Sequence, residues 1–266
     1  MAKNDVSSSQ FTSKICLEEP DTENPFVAQQ RYIRGYPINE LWQHSSFIEM
    51  LLLMFTGEIP NHTNAALLER LFIGLMGSGP RDTAVRAAMT AGISKTSEEH
   101  LLPIGLLAGS GECNGASEVK AACKFIVKSS RSDAKQLATE LQTKLDKNTA
   151  PSEHSIAPGF GSYYGCADPV MARLAQDCFQ LLPDSRIFNW CQQFSEYIQL
   201  AGQGWRASGL VAAVCIELGI RASEALAIYQ LCKAPAIAAH GFEQTHLPLQ
   251  SNPLLADEHY ELLTDQ

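Results

Sequence analysis

Residues 45–60, SSFIEMLLLMFTGEIP, are the stretch that decides the fold class. The apolar side chains of Phe47, Met50, Leu51 and Met54 recur at the spacing of one face of an α-helix. Either of the two leading serines can cap the N-terminus of this helix, and the T-G-E-I-P sequence ends it. The stretch therefore predicts a short amphipathic helix with a sharp stop.

Helical periodicity continues along most of the chain, and alternation typical of strands is nearly absent. One helix is predicted from Asn61 or Thr63 through Leu75, and Asp82 is predicted to cap the next, Val85–Gly92. Further helices are predicted over 101–108, 115–129, 132–147, 168–182, 185–201, 206–219 and 223–241. We therefore predict an all-α fold with about ten helices.

Polar and Pro/Gly-rich segments divide the predicted helices into regions. Residues 1–30 are predicted to be a flexible N-terminal tail that ends in an extended stretch near residues 26–33. A loop rich in Gly and Pro over 148–165 separates a large helical domain, 31–147, from a small one. The small domain with its active-site loop is predicted over 148–241, and a C-terminal segment over 242–266.

Composition excludes several classes of function. The 266 residues carry a formal net charge of −9, which argues against nucleic-acid binding because that binding needs Lys and Arg against phosphates. The N-terminus lacks the apolar segment of a signal peptide, and no apolar run reaches membrane-spanning length. We expect a cytoplasmic protein that has no membrane or nucleic-acid partner.

Cysteine and histidine patterns give no support for a metal site. The eight cysteines are widely spread without a C-x-x-C pair, and we expect them to be buried, free thiols that act as small apolar groups. The seven histidines form no i, i+4 pair, so a helical zinc site has no support. The sequence also lacks a dinucleotide fingerprint, a phosphate-binding loop and a G-x-S-x-G elbow. We expect no metal and no tightly bound cofactor.

Several short motifs, in order along the chain, resemble those of the citrate synthase superfamily. The opening R-G-Y-P-I at 34–38 is followed by F-I-E at 47–49 and by T-G-E-I-P at 56–60. The later matches are P-G-F-G at 158–161 with D-P at 168–169, GLVAAVCIELG at 209–219, and A-H-G-F-E-Q at 239–244. The sequence is most similar to the short bacterial citryl-CoA lyase-like members, and the resemblance covers about residues 30–260.

The resemblance implies a helical homodimer of large and small domains with the active site in the cleft between them. Its chemistry forms or cleaves a C–C bond next to a coenzyme A thioester. In this chemistry a carboxylate removes the α-proton, one histidine stabilises the enolate, a second polarises the oxaloacetate carbonyl, and arginines bind the substrate carboxylates. The backbone of the segment Pro158, Gly159, Phe160 and Gly161 would lie against coenzyme A, unless the two glycines only shape a turn.

The residues at the family's catalytic positions differ from those that the chemistry needs. By this resemblance the two histidines fall on Asn114 and Ser162, and the catalytic Asp falls on Ser208. The substrate-binding arginines fall on Tyr163, Val170 and Lys233, and His240 lies in the last motif. The resemblance also implies that Asn114→His, Ser162→His and Ser208→Asp together would restore part of the chemistry. Ordinary citrate chemistry is therefore not expected.

Three functional hypotheses stay open at this point. The first is an enzyme acting on another acyl-CoA, with replacement acids from Glu112, Asp168 or Glu243 and with His240 as a candidate base. Each of these has a simpler interpretation: a solvated loop charge for Glu112, a helix cap for Asp168, and a mutual i, i+3 pair for the other two. The second hypothesis is a non-catalytic protein that binds an acyl-CoA, a small carboxylate or a partner, and the third is a structural oligomer.

Overall fold

The computed structural model describes residues 12–144, 155–253 and 256–260. Within these ranges the chain forms two compact units, residues 12–66 and residues 67–260. The described residues form eleven α-helices and two small three-stranded sheets, which confirms the predicted all-helical class. The first part of the predicted 148–165 loop, residues 148–154, lies outside the described residues, as do residues 1–11, 145–147, 254–255 and 261–266.

The first unit begins with a β-hairpin in the segment predicted to be a flexible tail. Strand β1 (Cys16–Pro20) pairs antiparallel with β2 (Ala28–Ile33), and β3 (Tyr36–Pro37) adds to the other side of β2. All five residues of β1 are exposed, so no buried apolar alternation marks it in the sequence. The prediction for residues 1–30 therefore missed β1, while the extended stretch near residues 26–33 is confirmed in β2.

Two helices follow in the first unit. The helix α1 (Ile38–His44) was not predicted, and α2 (Phe47–Thr56) was. Ser46 caps α2 in a reciprocal capping box with Glu49, and Gly57 ends the helix in the left-handed conformation. The predicted apolar face was wrong, because Ile48, Leu52 and Leu53 are the buried residues while Phe47 and Met54 are exposed.

The remaining helices agree closely with the predicted ones. Asp82 and Asp168 cap α4 and α8 through hydrogen bonds from backbone N–H groups, as the sequence indicated. The helices are α3 (His62–Met76), α4 (Thr83–Ile93), α5 (Leu101–Ala108), α6 (Ala116–Ser129), α7 (Ala134–Lys144), α8 (Pro169–Leu181), α9 (Arg186–Gln199), α10 (Ala207–Glu217) and α11 (Ala225–Gln244). Short 3₁₀ turns lie at Glu98–His100, Leu249–Ser251 and Asp257–His259.

Helices α4, α5 and α11 pack through small residues in the second unit. Their shared core contains Ala84, Val85, Ala88, Ala236 and Ile237. A Cβ on Gly92 of α4 would lie 2.3 Å from the backbone oxygen of Gly241 of α11, so the two helices meet at a glycine contact. This contact fixes α11, which carries Lys233 and His240, against α4.

The second sheet positions the segments around the predicted active-site loop. Strand β4 (Ser155–Ala157) pairs with β5 (Phe160–Gly161), and β5 pairs with β6 (Gly204–Trp205), each antiparallel. Phe160 and Trp205 pack in a ring cluster with Phe125, Trp190 and Phe194. The cluster holds the residues that follow β5 and β6 in place. The predicted division into domains at 148 stays a prediction.

Candidate active site

A cleft of about 440 Å³ opens in the second unit beside the second sheet. Its lining comes from the end of α3 and the turn to α4, from the loop before α6, from the segment between β5 and the first turn of α8, and from β6 with the start of α10. The lining includes Arg81, Asp82, Asn114, Tyr163, Val170 and Arg206. The cleft is the candidate active site because residues from separate sequence motifs meet there.

The buried carboxylate of Glu118 contacts residues of the cleft lining but is not itself part of that lining. Its Oε1 accepts hydrogen bonds from the Gly159 N–H at 3.2 Å and from Arg206 Nη1 at 2.8 Å. Its Oε2 accepts from the Tyr163 hydroxyl at 2.7 Å and from the Ser208 hydroxyl at 2.9 Å. A carboxylate has about four lone-pair sites, and here four donors occupy them. The group is therefore fully satisfied inside the protein.

The charge of Glu118 is balanced by an equally buried cation. The side chains of Glu118 and Arg206 are 6% and 5% exposed, so both ends of this ion pair are removed from water. The Arg206 guanidinium also lies 4.0 Å from the centre of the Tyr163 ring, and its Nη2 donates to the Ser162 carbonyl oxygen at 3.3 Å. Removing either charge would leave the other uncompensated, at a cost of about 3–5 kcal/mol. We call Glu118, Tyr163, Arg206 and Ser208 the Glu118 cluster.

Tyr163 connects the cluster to the cleft. Burial raises the pKa of its hydroxyl well above the ordinary value, and the neighbouring negative charge of Glu118 raises it further. A neutral hydroxyl is what the carboxylate requires, because only the protonated form donates the hydrogen bond to Oε2. The phenol is thus a fixed donor to Glu118 and is not available as an acid or base near neutral pH.

Two of the predicted catalytic positions, Ser208 and Ser162, have hydroxyls that are already engaged. Ser208 is 1% exposed and donates to Glu118, and it is not among the residues that line the cleft. Ser162 lines the cleft, but its hydroxyl donates to the Cys166 carbonyl oxygen at 2.8 Å and accepts from the Tyr164 N–H at 3.2 Å. Both hydroxyls therefore stabilise local backbone or the Glu118 cluster.

Asn114 and Val170 both line the cleft, as their predicted roles require. Asn114 is half-buried and adopts a positive φ of 53°, a conformation that Asn tolerates better than most residues. Its carbonyl oxygen accepts a hydrogen bond from the Tyr229 hydroxyl at 3.2 Å. Val170 is 52% exposed and offers only an apolar surface, so a substrate carboxylate finds no cation at that position.

Lys233 lies at a predicted substrate-binding position but is paired within the protein. Its ammonium nitrogen is 2.5 Å from Asp82 Oδ2, and it lies 4.7 Å from the centre of the Tyr229 ring. The other oxygen of Asp82 accepts from two N–H groups at the start of α4. Lys233 therefore neutralises the capping carboxylate and helps to fix α11 against α4.

The candidate replacement acids have structural partners or lie in solvent. Asp168 caps α8 through hydrogen bonds from Val170 and Met171 N–H groups, so its predicted capping role is confirmed. His240 and Glu243 pair at 3.5 Å, as the simpler interpretation predicted, and neither lines the cleft. Glu112 is exposed in the loop before α6 and does not line the cleft either.

The segment predicted to lie against coenzyme A consists of the turn between β4 and β5, formed by Pro158 and Gly159, and of strand β5, formed by Phe160 and Gly161. Gly159 has a φ of 83°, and its Cα approaches Gly209 of α10 so closely that a Cβ would lie 2.5 Å from it. Phe160 is fully buried in the ring cluster, and Gly161 is the residue of this segment that lines the cleft. Gly159 therefore needs to be glycine for backbone conformation and for close packing.

Sequence reasoning missed Glu118, the residue around which the site is organised. The available signal was its position on α6, where it lies four residues before the buried Ala122 and next to the buried Val119. A carboxylate on the apolar face of a helix requires a buried partner, and the apolar periodicity of α6 places Glu118 on such a face. The partner, Arg206, lies 88 residues away along the chain.

The structure also shows where the metal-ligating side chains and the thiols lie, and one thiol, that of Cys166, is on the cleft lining. No group of three or more metal-ligating side chains occurs among the residues that the structure describes. All eight cysteines are free, as predicted, but the predicted burial is wrong for Cys16, Cys113 and Cys166, which are exposed because they lie in an exposed strand and in surface loops. Across the same described ranges, no helix has the length and apolar character needed to cross a membrane.

Comparison with known proteins gives matches at the level of structure. No family model matches the chain, and the comparison with curated protein sequences finds no match. A citryl-CoA lyase from Hydrogenobacter thermophilus superposes with a TM-score of 0.74 at 22% identity, over 96% of this chain and 95% of that one. An ATP citrate lyase from Methanothrix soehngenii, solved with citrate and coenzyme A, gives 0.75 at 15% identity over 97% of this chain and 42% of that one.

A third match extends the same pattern. Citrate synthase from Thermotoga maritima superposes with a TM-score of 0.58 at 14% identity, over 100% of this chain and 98% of that one. The chain shares the helical fold of these three solved structures, as the resemblance of its short motifs predicted.

Proposed function

We propose that this chain binds a coenzyme A thioester or a small carboxylate in the cleft and does not perform ordinary citrate synthesis or citryl-CoA cleavage. The binding half of the proposal is supported by the fold, since a structural neighbour was solved with citrate and coenzyme A bound. It is also supported by the cleft, which is large enough for part of such a ligand.

The observation that carries the proposed lack of ordinary citrate chemistry is the hydrogen bonding of the Glu118 carboxylate. A base for the α-proton must reach that proton and must have a lone pair to accept it. Glu118 lies behind the lining, and its two oxygens already accept four hydrogen bonds. Ser208, at the position where the resemblance expects the catalytic Asp, donates to that same carboxylate. No carboxylate is thus poised for proton abstraction among the described residues at these positions.

The substrate clamp is also altered. Citrate and oxaloacetate carry several carboxylates, which need fixed cations in a desolvated cleft. Val170 offers none, Tyr163 is committed to Glu118, and Lys233 is neutralised by Asp82. The alternative, an enzyme for a different acyl-CoA, would have to use groups other than these.

Ligand-dependent stability is the direct test of binding. Acetyl-CoA at 100 times its dissociation constant should raise the free energy of unfolding by about 2.7 kcal/mol, whereas citrate and oxaloacetate should give less. Val170→Trp, which fills the cleft from an exposed site, should reduce the acetyl-CoA effect, while Leu200→Trp, 94% exposed and outside the lining, should not. Absence of any acetyl-CoA effect on the wild type would refute the binding proposal.

Measurements of turnover test the proposal that the chain does not perform citrate synthesis or citryl-CoA cleavage. Neither citrate formation from acetyl-CoA and oxaloacetate nor cleavage of citryl-CoA should be measurable above the uncatalysed rate. Turnover within tenfold of an ordinary enzyme value of about 10 s⁻¹ would contradict the proposal. Turnover of a different thioester, together with normal binding, would identify the chain as a diverged enzyme.

We also propose that the chain forms a homodimer through apolar helices. Helix α5, with the sequence LLPIGLLA, is entirely apolar, yet Leu101 and Gly105 are its only buried residues and Leu107 is 74% exposed. Such a helix needs an apolar partner. Sedimentation at micromolar concentration should give about twice the monomer mass of 29.1 kDa. Leu107→Glu should shift the protein towards monomer, and Leu200→Glu should leave the mass unchanged.

A further inference from the structure

One exposed thiol, that of Cys166, lies on the cleft lining, in the segment between β5 and α8. The other two exposed cysteines, Cys16 and Cys113, lie outside that lining. A thiolate is a much stronger nucleophile than a hydroxyl that has no base beside it. Cys166 is therefore the candidate nucleophile of the cleft.

Three hydroxyl groups on the same lining donate hydrogen bonds within the protein. Ser78 donates to a backbone carbonyl oxygen at 3.0 Å, and Tyr163 donates to the carboxylate of Glu118 at 2.7 Å. The Ser162 hydroxyl donates to the carbonyl oxygen of Cys166 at 2.8 Å. These hydroxyls are engaged, whereas the side chain of Cys166 is exposed.

The backbone that carries Cys166 is held on both sides. The Ser162 hydroxyl bonds to the carbonyl oxygen of Cys166, and the Ser162 carbonyl oxygen accepts a hydrogen bond from Arg206 Nη2 at 3.3 Å. On the other side, the Ala167 Cβ lies 2.9 Å from the place that a Cβ would occupy on Gly204 of β6. These contacts fix the position of Cys166 relative to β6.

The residue after Gly204 in β6, Trp205, has a buried donor on the same lining. Trp205 is 2% exposed, and its Nε1 has no hydrogen-bond acceptor among the residues that the structure describes. A buried N–H group without an acceptor is unfavourable, and a ligand that brings an acceptor atom removes that cost. Cys166 and Trp205 each lie one residue from the contact between Ala167 and Gly204, so this donor indicates a ligand site beside the thiol.

From this arrangement, and given the binding function proposed above, we infer that Cys166 is an acylation site, which takes the acyl group of a coenzyme A thioester bound in the cleft. The Cys166 thiol first gives its proton to solvent, and the resulting thiolate attacks the carbonyl carbon of the thioester. A new C–S bond forms to Cys166 while the C–S bond to coenzyme A breaks. Coenzyme A leaves as a thiolate and takes up a proton from solvent. No atom changes its oxidation state, because one thioester is exchanged for another.

Binding in the cleft gives this exchange its selectivity. An exposed thiol elsewhere on the protein meets a thioester only by collision, whereas Cys166 shares the cleft with the bound thioester. Holding two reacting groups together raises their effective concentration. Even partial alignment should therefore make the acylation of Cys166 at least about tenfold faster than that of an exposed thiol outside the cleft.

Peptide mapping by mass spectrometry tests the inference with acetyl-CoA as the probe. The full-length protein is incubated with acetyl-CoA at several concentrations, and the acetyl group on each cysteine is followed with time. Acetylation of Cys166 should be at least about tenfold faster than that of Cys16, and its rate should saturate as the acetyl-CoA concentration rises. Hydroxylamine at neutral pH should remove the acetyl group, because it cleaves thioesters and leaves amides intact.

A smaller thioester and matched variants show whether the cleft directs the reaction. N,S-diacetylcysteamine carries the same acetyl thioester without the nucleotide of coenzyme A, so it should acetylate Cys16 and Cys166 at similar rates. Cys166→Ser should abolish the saturable acetylation, and Cys16→Ser should leave it unchanged. Val170→Trp, which fills the cleft, should slow the reaction of Cys166 with acetyl-CoA, whereas Leu200→Trp, outside the lining, should not. Unfolding curves that match the wild type establish that the variants fold.

The outcomes separate this inference from the proposed function. Stabilisation by acetyl-CoA without an acetyl group on Cys166 would overturn the inference and leave the binding function standing. Acetylation of Cys166 and Cys16 at equal rates that do not saturate would show only the ordinary reactivity of exposed thiols, and would also overturn the inference. If acetyl-CoA neither stabilises the protein nor acetylates Cys166, the inference and the binding function fail together. Saturable acetylation of Cys166, with the same half-saturation concentration as the stabilisation, would support both.

Discussion

Ser208→Asp restores the residue that the citrate synthase resemblance expects, and the structure predicts that it destabilises the protein. The Ser208 hydroxyl oxygen lies 2.9 Å from Glu118 Oε2, and Ser208 is 1% exposed. An aspartate there would replace a donor by a second carboxylate against the first. Two unit charges 4 Å apart interact by about 4 kcal/mol at an effective dielectric constant of about 20. Arg206 offsets part of this repulsion, since its guanidinium already pairs with Glu118.

Matched substitutions isolate the charge from the change in size. Ser208→Ala loses one hydrogen bond to a carboxylate and should cost about 2 kcal/mol. Ser208→Asn introduces a side chain of nearly the size of aspartate without its charge. The difference in the free energy of unfolding between Ser208→Asp and Ser208→Asn therefore reports the repulsion between the two carboxylates. We expect Ser208→Asp to be less stable than Ser208→Asn by about 3 kcal/mol at pH 7, a large share of the 5–15 kcal/mol typical of a native protein.

Denaturant unfolding as a function of pH measures this difference. The neighbouring carboxylate should raise the pKa of the introduced carboxyl in the folded protein above its unfolded value of about 3.9. The folded state then binds the extra proton more tightly, so the difference from Ser208→Asn should shrink as the pH falls from 7 towards 5. Adding Glu118→Gln should recover much of the loss at pH 7, as a double-mutant cycle would show.

Equal stability of the aspartate and asparagine variants at pH 7 would refute this reasoning. It would mean that the carboxylate of Glu118 is not held against position 208, and that this carboxylate is free to accept a proton as a catalytic base. The same geometry changes the activity that we expect from the triple variant Asn114→His, Ser162→His and Ser208→Asp, which introduces the family residues. Ser162 is 3% exposed and its hydroxyl bonds to local backbone, so a histidine there loses both of these hydrogen bonds. Restoring the family chemistry therefore first requires removing the charge repulsion between Glu118 and the aspartate at position 208.

Three further predictions concern packing, ionisation and thiol exposure. Gly209→Ala should destabilise the protein by at least about 2 kcal/mol, because its Cβ would lie 2.1 Å from the Gly159 carbonyl oxygen, while Gly77→Ala, with open space around it, should change the unfolding temperature little. The free energy of unfolding should fall as the pH rises above about 10, where tyrosine ionises in the unfolded chain, because the pKa of Tyr163 is raised in the folded protein. Tyr163→Phe should reduce the slope of unfolding free energy against pH in this alkaline range. A slope that is unchanged in this variant would contradict the prediction. Iodoacetamide should label three cysteines in the native protein and the other five only after unfolding, as counted by mass spectrometry, with the labelled ones being Cys16, Cys113 and Cys166.

Helices and their ends could be predicted from the sequence because they depend on neighbours close in the chain. Asp82 and Asp168 cap helices through N–H groups two or three residues away, and the apolar period of each helix repeats within a few turns. The short strands were harder to predict. Exposed β1 has no apolar alternation, and β4, β5 and β6 have two or three residues each, so long-range pairing alone defines them.

The sequence by itself determined the helical class, most helix boundaries and, through its short motifs, the fold. The tertiary structure alone decided the state of the site. Glu118, Gly159, Tyr163 and Arg206 come from three separate segments up to 88 residues apart, and their polar groups satisfy one another only after folding. Local spacing cannot predict such contacts, because a hydrogen bond depends on positions in space to within a few tenths of an ångström. For this reason a buried glutamate on an ordinary helix became the centre of the candidate site.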